Sequence, residues 1–201
     1  IKEECVVFGI YDKSRLGNIA QQVYFGLFAL QHRGQEAAGI AVNNDREITL
    51  VKNMGLVSEV FNDATLAKLN GEIAIGHVRY STTGNNTPEN AQPISVKYAK
   101  GNLTVSHNGN ITNAKELRDK LEAKGSIFHT TSDSEVISYL IAIQRLKSKS
   151  IEEAVEKVFP MLQGAFSLLI MSPRKLIAVR DKYGIRPLCI GKLLDNVIFA
   201  S

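Results

Sequence analysis

Glu3-Glu4-Cys5-Val6-Val7-Phe8-Gly9-Ile10 decides the reading of this chain. One thiol heads a short apolar run that reads as a strand, and only Ile1 to Glu4 precede it. A cysteine in that place has a chemical option that no other position offers. Cleavage of the Glu4–Cys5 bond frees an α-amine, whose pKa near ~7.8 leaves part of it unprotonated at neutral pH. That amine can take the thiol proton of its own residue, and the thiolate is the working nucleophile. On its own the stretch favours the plainer reading, a buried free cysteine opening an edge strand, and it is the rest of the chain that reverses this.

Composition narrows the classes. The 201 residues suffice for one large domain. No apolar run approaches the ~20 residues that span a bilayer. The first ten residues hold charges at Lys2, Glu3 and Glu4 and no long apolar core, unlike a signal peptide. Cys5 and Cys189 are too few for a disulfide framework, which points to a reducing, cytoplasmic setting. His32, His77, His107 and His129 lie far apart and show no metal-ligand spacing. The net charge of +4 comes from scattered basic residues not interleaved with aromatics, so nothing favours nucleic acid as a partner.

The order of elements sets the fold class. Apolar residues from Asn18 to about Gln31 recur at helical spacing. Ala38–Val42 and Ile48–Lys52 read as a strand pair around Asn43-Asn44-Asp45. Ile73–Tyr80 is a strand with charge at its carboxyl end, followed by a long Thr/Asn/Gly-rich loop, Ser81 to Gln92. Two strands, Ile94–Tyr98 and Leu103–Ser106, lead to His107-Asn108-Gly109-Asn110, which reads as a tight turn. Capping boxes are expected at Asn113/Glu116 and Ser132/Glu135, opening helices to about Lys124 and Leu146. A third helix over Ile151–Leu162 precedes strands at Gly164–Met171, Leu176–Arg180, Leu188–Ile190 and Val197–Ala200. Strands, then helices, then strands, with no glycine-rich phosphate loop, argue for antiparallel sheets packed on helices, an α+β fold. The chain stops at Ser201 inside an apolar strand, so a piece of something longer is expected.

Four places carry more chemistry than a scaffold needs: Cys5, the Gly76-to-Thr82 stretch around Arg79, His107-Asn108-Gly109-Asn110, and Thr130 to Glu135 around Asp133. Each alone has a plain explanation. Arg79 could be a surface charge, Asn108-Gly109 a hairpin turn, and Asp133 a complement to a helix dipole; His77 and His107 could be packing histidines. Together they form a kit for opening an amide. A thiolate attacks the carboxamide, an Asn amide and a Gly N–H hold the oxyanion, a guanidinium grips a carboxylate, and a carboxylate holds an ammonium. Glutamine or asparagine is the amide that bears both charges.

At this point the chain resembles a known family, the amino-terminal glutaminase domains of the glutamine phosphoribosylpyrophosphate amidotransferases, within the N-terminal-nucleophile class II amidotransferases. The resemblance rests on Cys5 to Ile10, Leu30 to Ile40 (with His32-Arg33-Gly34-Gln35), Gly55 to Phe61, Gly76 to Tyr80, His107 to Asn113 and Thr131 to Glu135. Glucosamine-phosphate synthases usually carry Tyr-Arg-Gly-Tyr and Thr-Arg-Trp at the words built on Arg33 and Arg79, so the purine enzymes match better.

The resemblance implies a four-layer αββα sandwich of two antiparallel sheets, the N-terminal-nucleophile hydrolase type. It implies Cys5 as nucleophile, Asn108 and Gly109 as oxyanion hole, Arg79 on the α-carboxylate and Asp133 on the α-ammonium of L-glutamine. It places His77, Tyr80 and Thr82 beside the substrate, the last two in a loop that closes over it. Residues 1–4 would be a propeptide remnant and 5–201 the glutaminase domain, truncated at its C-terminal end. A phosphoribosyltransferase domain would lie outside this chain. There the released ammonia would convert phosphoribosylpyrophosphate to phosphoribosylamine in the first step of purine synthesis. No cofactor is expected in this domain, with Mg²⁺ and a 4Fe–4S cluster outside it, Cys189 in the core, and a homo-oligomer as the assembly.

Two departures keep other readings open. The family has Gly after the nucleophile, whereas this chain has Val6, whose branched side chain adds bulk beside the thiol. While Glu4 is attached, the Cys5 nitrogen is an amide and no base, so the uncleaved chain is expected to be inactive. The alternatives are the glutaminase domain of another class II amidotransferase, or a silent relative that binds glutamine without turnover.

Overall fold

The computed structural model describes residues 5–13, 17–80 and 87–201. Strand β1 (Val6–Tyr11) lies inside a six-stranded sheet in the order β3-β2-β4-β1-β10-β9. Its members are β2 (Ala37–Asn44), β3 (Glu47–Met54), β4 (Ile73–Arg79), β9 (Cys189–Leu193) and β10 (Asn196–Ala200). The second sheet, β5-β6-β7-β8, comprises β5 (Ile94–Tyr98), β6 (Gly101–Ile111), β7 (Gly164–Met171) and β8 (Leu176–Arg180). Every pairing in both sheets is antiparallel.

Alternation along the strands sorts side chains into three cores. Val6, Phe8 and Ile10 join Ile40, Ala74 and Val78 under helix α1 (Ile19–Leu30), which contributes Ile19, Val23 and Leu27; short helices α2 (Val57–Val60) and α3 (Asp63–Leu66) close the edge of that core. Val7, Ala41 and Ile75 meet Leu169 and Met171 between the sheets. Phe166, Leu168 and Ile170, the alternate residues of β7, face α4 (Ala114–Glu122), α5 (Asp133–Leu146) and α6 (Ile151–Val158). The result is the helix–sheet–sheet–helix sandwich expected. Gly9 lets the sheets approach: a Cβ there would stand 2.7 Å from Leu169 Cδ1.

Several local expectations give way to longer-range contacts. His107 to Asn110 is not a turn but the end of β6, because residues 107–110 pair with Leu168, Ser167, Phe166 and Ala165 of β7. Asn113 does not cap α4; its side chain donates to Met161 O (3.0 Å) and accepts from Gln163 N (3.1 Å), tying the helix start to β7. Ser132 does cap α5, but Glu135 reaches past it to the amides of His129 and Thr130. The third helix ends at Val158 and continues as a 3₁₀ turn, Phe159–Met161. Cys189 is exposed and not in the core, because β9 is an edge strand covered on neither face.

Candidate active site

Parity along two neighbouring strands positions the site. Residues 75, 77 and 79 of β4 and residue 7 of β1 point between the sheets, and Cys5 continues that alternation opposite Arg79. Val6 points the other way, fully buried under α1, so its bulk lies in the helix-side core and not beside the thiol as expected from the sequence.

Cys5 is buried, and its Sγ is held by the backbone of Tyr80: the thiol donates to Tyr80 O (3.3 Å) and Tyr80 N donates to Sγ (3.3 Å). Burial pushes the thiol pKa up; the Tyr80 amide and the Arg79 guanidinium oppose this, while Asp133 and Glu36 add to it. The thiol is therefore protonated at neutral pH, and among the described residues no side-chain base is hydrogen-bonded to it.

On β6 the same alternation splits His107 from Asn108. His107 faces the helices, where its Nδ1 lies 3.3 Å from Asp133 Oδ1 and 3.3 Å from Ser134 Oγ. Asn108 faces the other sheet and is buried. Asp133, the first residue of α5, accepts from Ile111 N through Oδ2 (3.0 Å). Burial acts to raise the Asp133 pKa, but the His107 imidazole with the Ile111 and Ser134 amides outweighs it and holds the carboxyl below its usual range. Asp133 is therefore an anion at neutral pH, held at the helix-side end of β6 and close enough to Cys5 to push its thiol pKa up.

Two further side chains hold this strand end, and the sequence reading had singled out neither for it. Gln92 clamps the His107 backbone, accepting from His107 N (2.7 Å) and donating to its carbonyl (3.3 Å). Ser201 accepts from Val7 N and Asn108 Nδ2, each at 3.1 Å. His77 is fully buried and its Nε2 lies 3.1 Å from His107 O, so it supports β6 from behind. Arg79 is buried at the end of β4. Thr82, expected in the closing loop, lies outside the described residues. A cavity of about 690 Å³ between β5 and α5, lined by Lys52, Tyr98, His129 and Tyr139 among others, touches none of the expected catalytic residues.

His77 makes the fold acid-sensitive. Burial first, with nearby positive charge, pushes its pKa down to about 3 against an ordinary 6.5. Between those values the unfolded chain binds a proton that the folded one refuses, so stability is full above pH 6.5 and falls as pH drops. At about 1.4 kcal/mol per pH unit, roughly 2 kcal/mol is lost by pH 5. Urea midpoints at pH 7 and pH 5 check this; His77→Gln, which can still donate to His107 O, flattens the dependence.

A buried thiol and a buried guanidinium side by side on neighbouring strands, a carboxamide on the facing sheet and a carboxylate on the adjoining helix are set in a helix–sheet–sheet–helix sandwich of the N-terminal-nucleophile hydrolase type. The chain matches the glutamine amidotransferase domain over residues 77–201, and it belongs to that family. It is 51% identical to the amidophosphoribosyltransferase of Methanocaldococcus jannaschii over 98% of its own length and 42% of the relative's. It is 42% identical to that of Bacillus subtilis, covering 41% of it. The chain thus spans less than half the length of these curated relatives. The solved glutamine phosphoribosylpyrophosphate amidotransferase from B. subtilis, complexed with ADP and GMP, superimposes with a TM-score of 0.88 at 41% identity over 98% of this chain and 41% of that one.

Proposed function

We propose that this domain hydrolyses the side-chain amide of L-glutamine through a thioester on Cys5. The observation that carries the reading is that Cys5, just ahead of β1, lies within electrostatic reach of Arg79 at the end of β4 and Asp133 at the start of α5, while Ser201 ties Val7 of β1 to Asn108 of β6. After removal of residues 1–4, the α-amine takes the thiol proton and Sγ attacks the amide carbon. Asn108 Nδ2–H and Gly109 N–H receive the oxyanion. The Cys5 α-ammonium passes that proton to the departing nitrogen as the tetrahedral intermediate collapses, ammonia leaves, and water cleaves the thioester to give glutamate and the free thiol. Arg79 grips the α-carboxylate and Asp133 the α-ammonium; Tyr80 holds the thiol through its backbone. His77 contributes by fixing His107.

In the full-length protein the ammonia would go to a phosphoribosyltransferase domain, aminating phosphoribosylpyrophosphate at the entry to purine synthesis, as the names of the relatives suggest. The same reading takes the assembly as a homo-oligomer in the cytoplasm. Among the described residues no group of three His, Cys, Asp or Glu side chains could hold a metal ion. The resemblance puts Mg²⁺ and an iron–sulfur cluster outside this stretch, and no step here uses them.

Glutamate release from glutamine by protein beginning at Cys5 tests the reading. Arg79→Ala is expected to raise KM for glutamine roughly 10- to 100-fold, the loss of a charge-assisted pair. Thermal protection by glutamine without any glutamate formed would instead support the silent relative.

A further inference from the structure

Ser201 is buried where β10 leaves the six-stranded sheet, and its backbone N donates to Val7 O (3.1 Å). Register with β1 turns its hydroxyl into the gap between the sheets. There it accepts from Val7 N on the nucleophile's own strand and from Asn108 Nδ2 on the opposite sheet. One oxygen thus joins the strand that carries Cys5 to the amide expected to receive the oxyanion.

A hydroxyl oxygen has two lone pairs and a carboxamide nitrogen two N–H groups. With Val7 N and Asn108 Nδ2 on the oxygen, Asn108 keeps one N–H to offer elsewhere. The terminal torsion of an Asn side chain is broad and roughly two-fold, so nothing intrinsic to Asn108 keeps nitrogen, and not oxygen, toward the reacting carbonyl. A flipped amide would set a carbonyl oxygen against a developing negative charge.

We infer that Ser201 is a positioning residue for amide hydrolysis, which fixes the Asn108 carboxamide relative to Cys5 so that its second N–H is aimed at the oxyanion. This rests on the glutaminase reading proposed above. Ser201 touches no reacting atom, so its effect falls on the transition state and not on glutamine binding.

The test compares wild type, Ser201→Ala and Ser201→Thr, each confirmed by intact mass to begin at Cys5. Glutaminase kinetics are run beside titration of active sites with a glutamine-mimicking diazoketone. Losing one oxyanion donor costs about 10²- to 10³-fold, and a misaimed donor costs less. Ser201→Ala is expected to lower kcat roughly 10- to 100-fold, with KM within about twofold and full label stoichiometry. Ser201→Thr, which restores the hydroxyl, recovers most of the rate. A Ser201→Ala kcat within twofold of wild type overturns the inference, as does a loss matched by fewer labelled sites or a Thr variant as slow as the Ala variant. Wild type that releases no glutamate overturns the glutaminase reading itself, and this inference with it.

Discussion

Cys5→Ser removes glutamine hydrolysis by about 10⁴-fold or more while leaving the fold in place, because a hydroxyl at its ordinary pKa is a far weaker nucleophile than a thiol whose proton is drawn off by a neighbouring amine. The substitution isolates chemistry from structure. Serine keeps one donor and acceptor capacity at the same place, so it can replace both contacts that Sγ makes with the Tyr80 backbone. Its smaller atom loosens the packing slightly, and the expected change in stability is below about 1 kcal/mol. Glutamine binding should survive, since Arg79 and Asp133 are untouched. The check is glutamate release together with thermal unfolding with and without glutamine. Serine protein that retains a tenth of the activity would remove Cys5 from the role of nucleophile.

Gly109→Ala is the second large effect, and it acts on fold and site together. Gly109 has φ +142°, a conformation that side chains rarely adopt. An added Cβ would lie 2.1 Å from Ala165 O and 2.8 Å from Phe166 Cα, both backbone atoms of the paired strand. No rotamer relieves that overlap; β6 has to part from β7. Strain and overpacking together cost about 3–5 kcal/mol. That is a large share of the 5–15 kcal/mol of a typical domain, and it lowers Tm by on the order of 10 °C. The same displacement carries Gly109 N–H and Asn108 away from the thiol, so surviving folded protein should hydrolyse glutamine about 10²-fold more slowly or worse. Unfolding curves and glutamate release measure the two losses separately. An unchanged Tm would mean that β6 and β7 do not pair in this register.

These two residues also show where sequence reasoning reaches and where it stops. Cys5 was legible because its meaning is local: a thiol near the start of an apolar run carries its chemistry with it. Helix α1 and strands β7 and β8 were legible because period and alternation are written along the chain. Asn108-Gly109 was read as a hairpin turn, since that pair is a strong local turn signal. Only the partner strand, more than fifty residues later, shows that Gly109 is needed for close backbone approach inside a continuous strand.

The remaining differences have the same cause. Asn113 looks like a helix cap until Met161 and Gln163 claim its side chain. Val6 looks like bulk beside the thiol until strand parity turns it into the core under α1. Gln92 and Ser201 carry no local mark at all, because each acts on a strand far away in sequence. His77 shares its face with Arg79, and its contact with the His107 carbonyl on the other sheet carries no mark in the local sequence.

The most direct test of the account is intact mass paired with diazoketone labelling and glutamate release on the same preparation. The account predicts that protein beginning at Cys5 takes one label, on Cys5, and releases glutamate, whereas protein still beginning at Ile1 does neither. Appreciable glutamate release from protein whose mass retains residues 1–4 would contradict it, because the Cys5 nitrogen is then an amide and the buried thiol has no base.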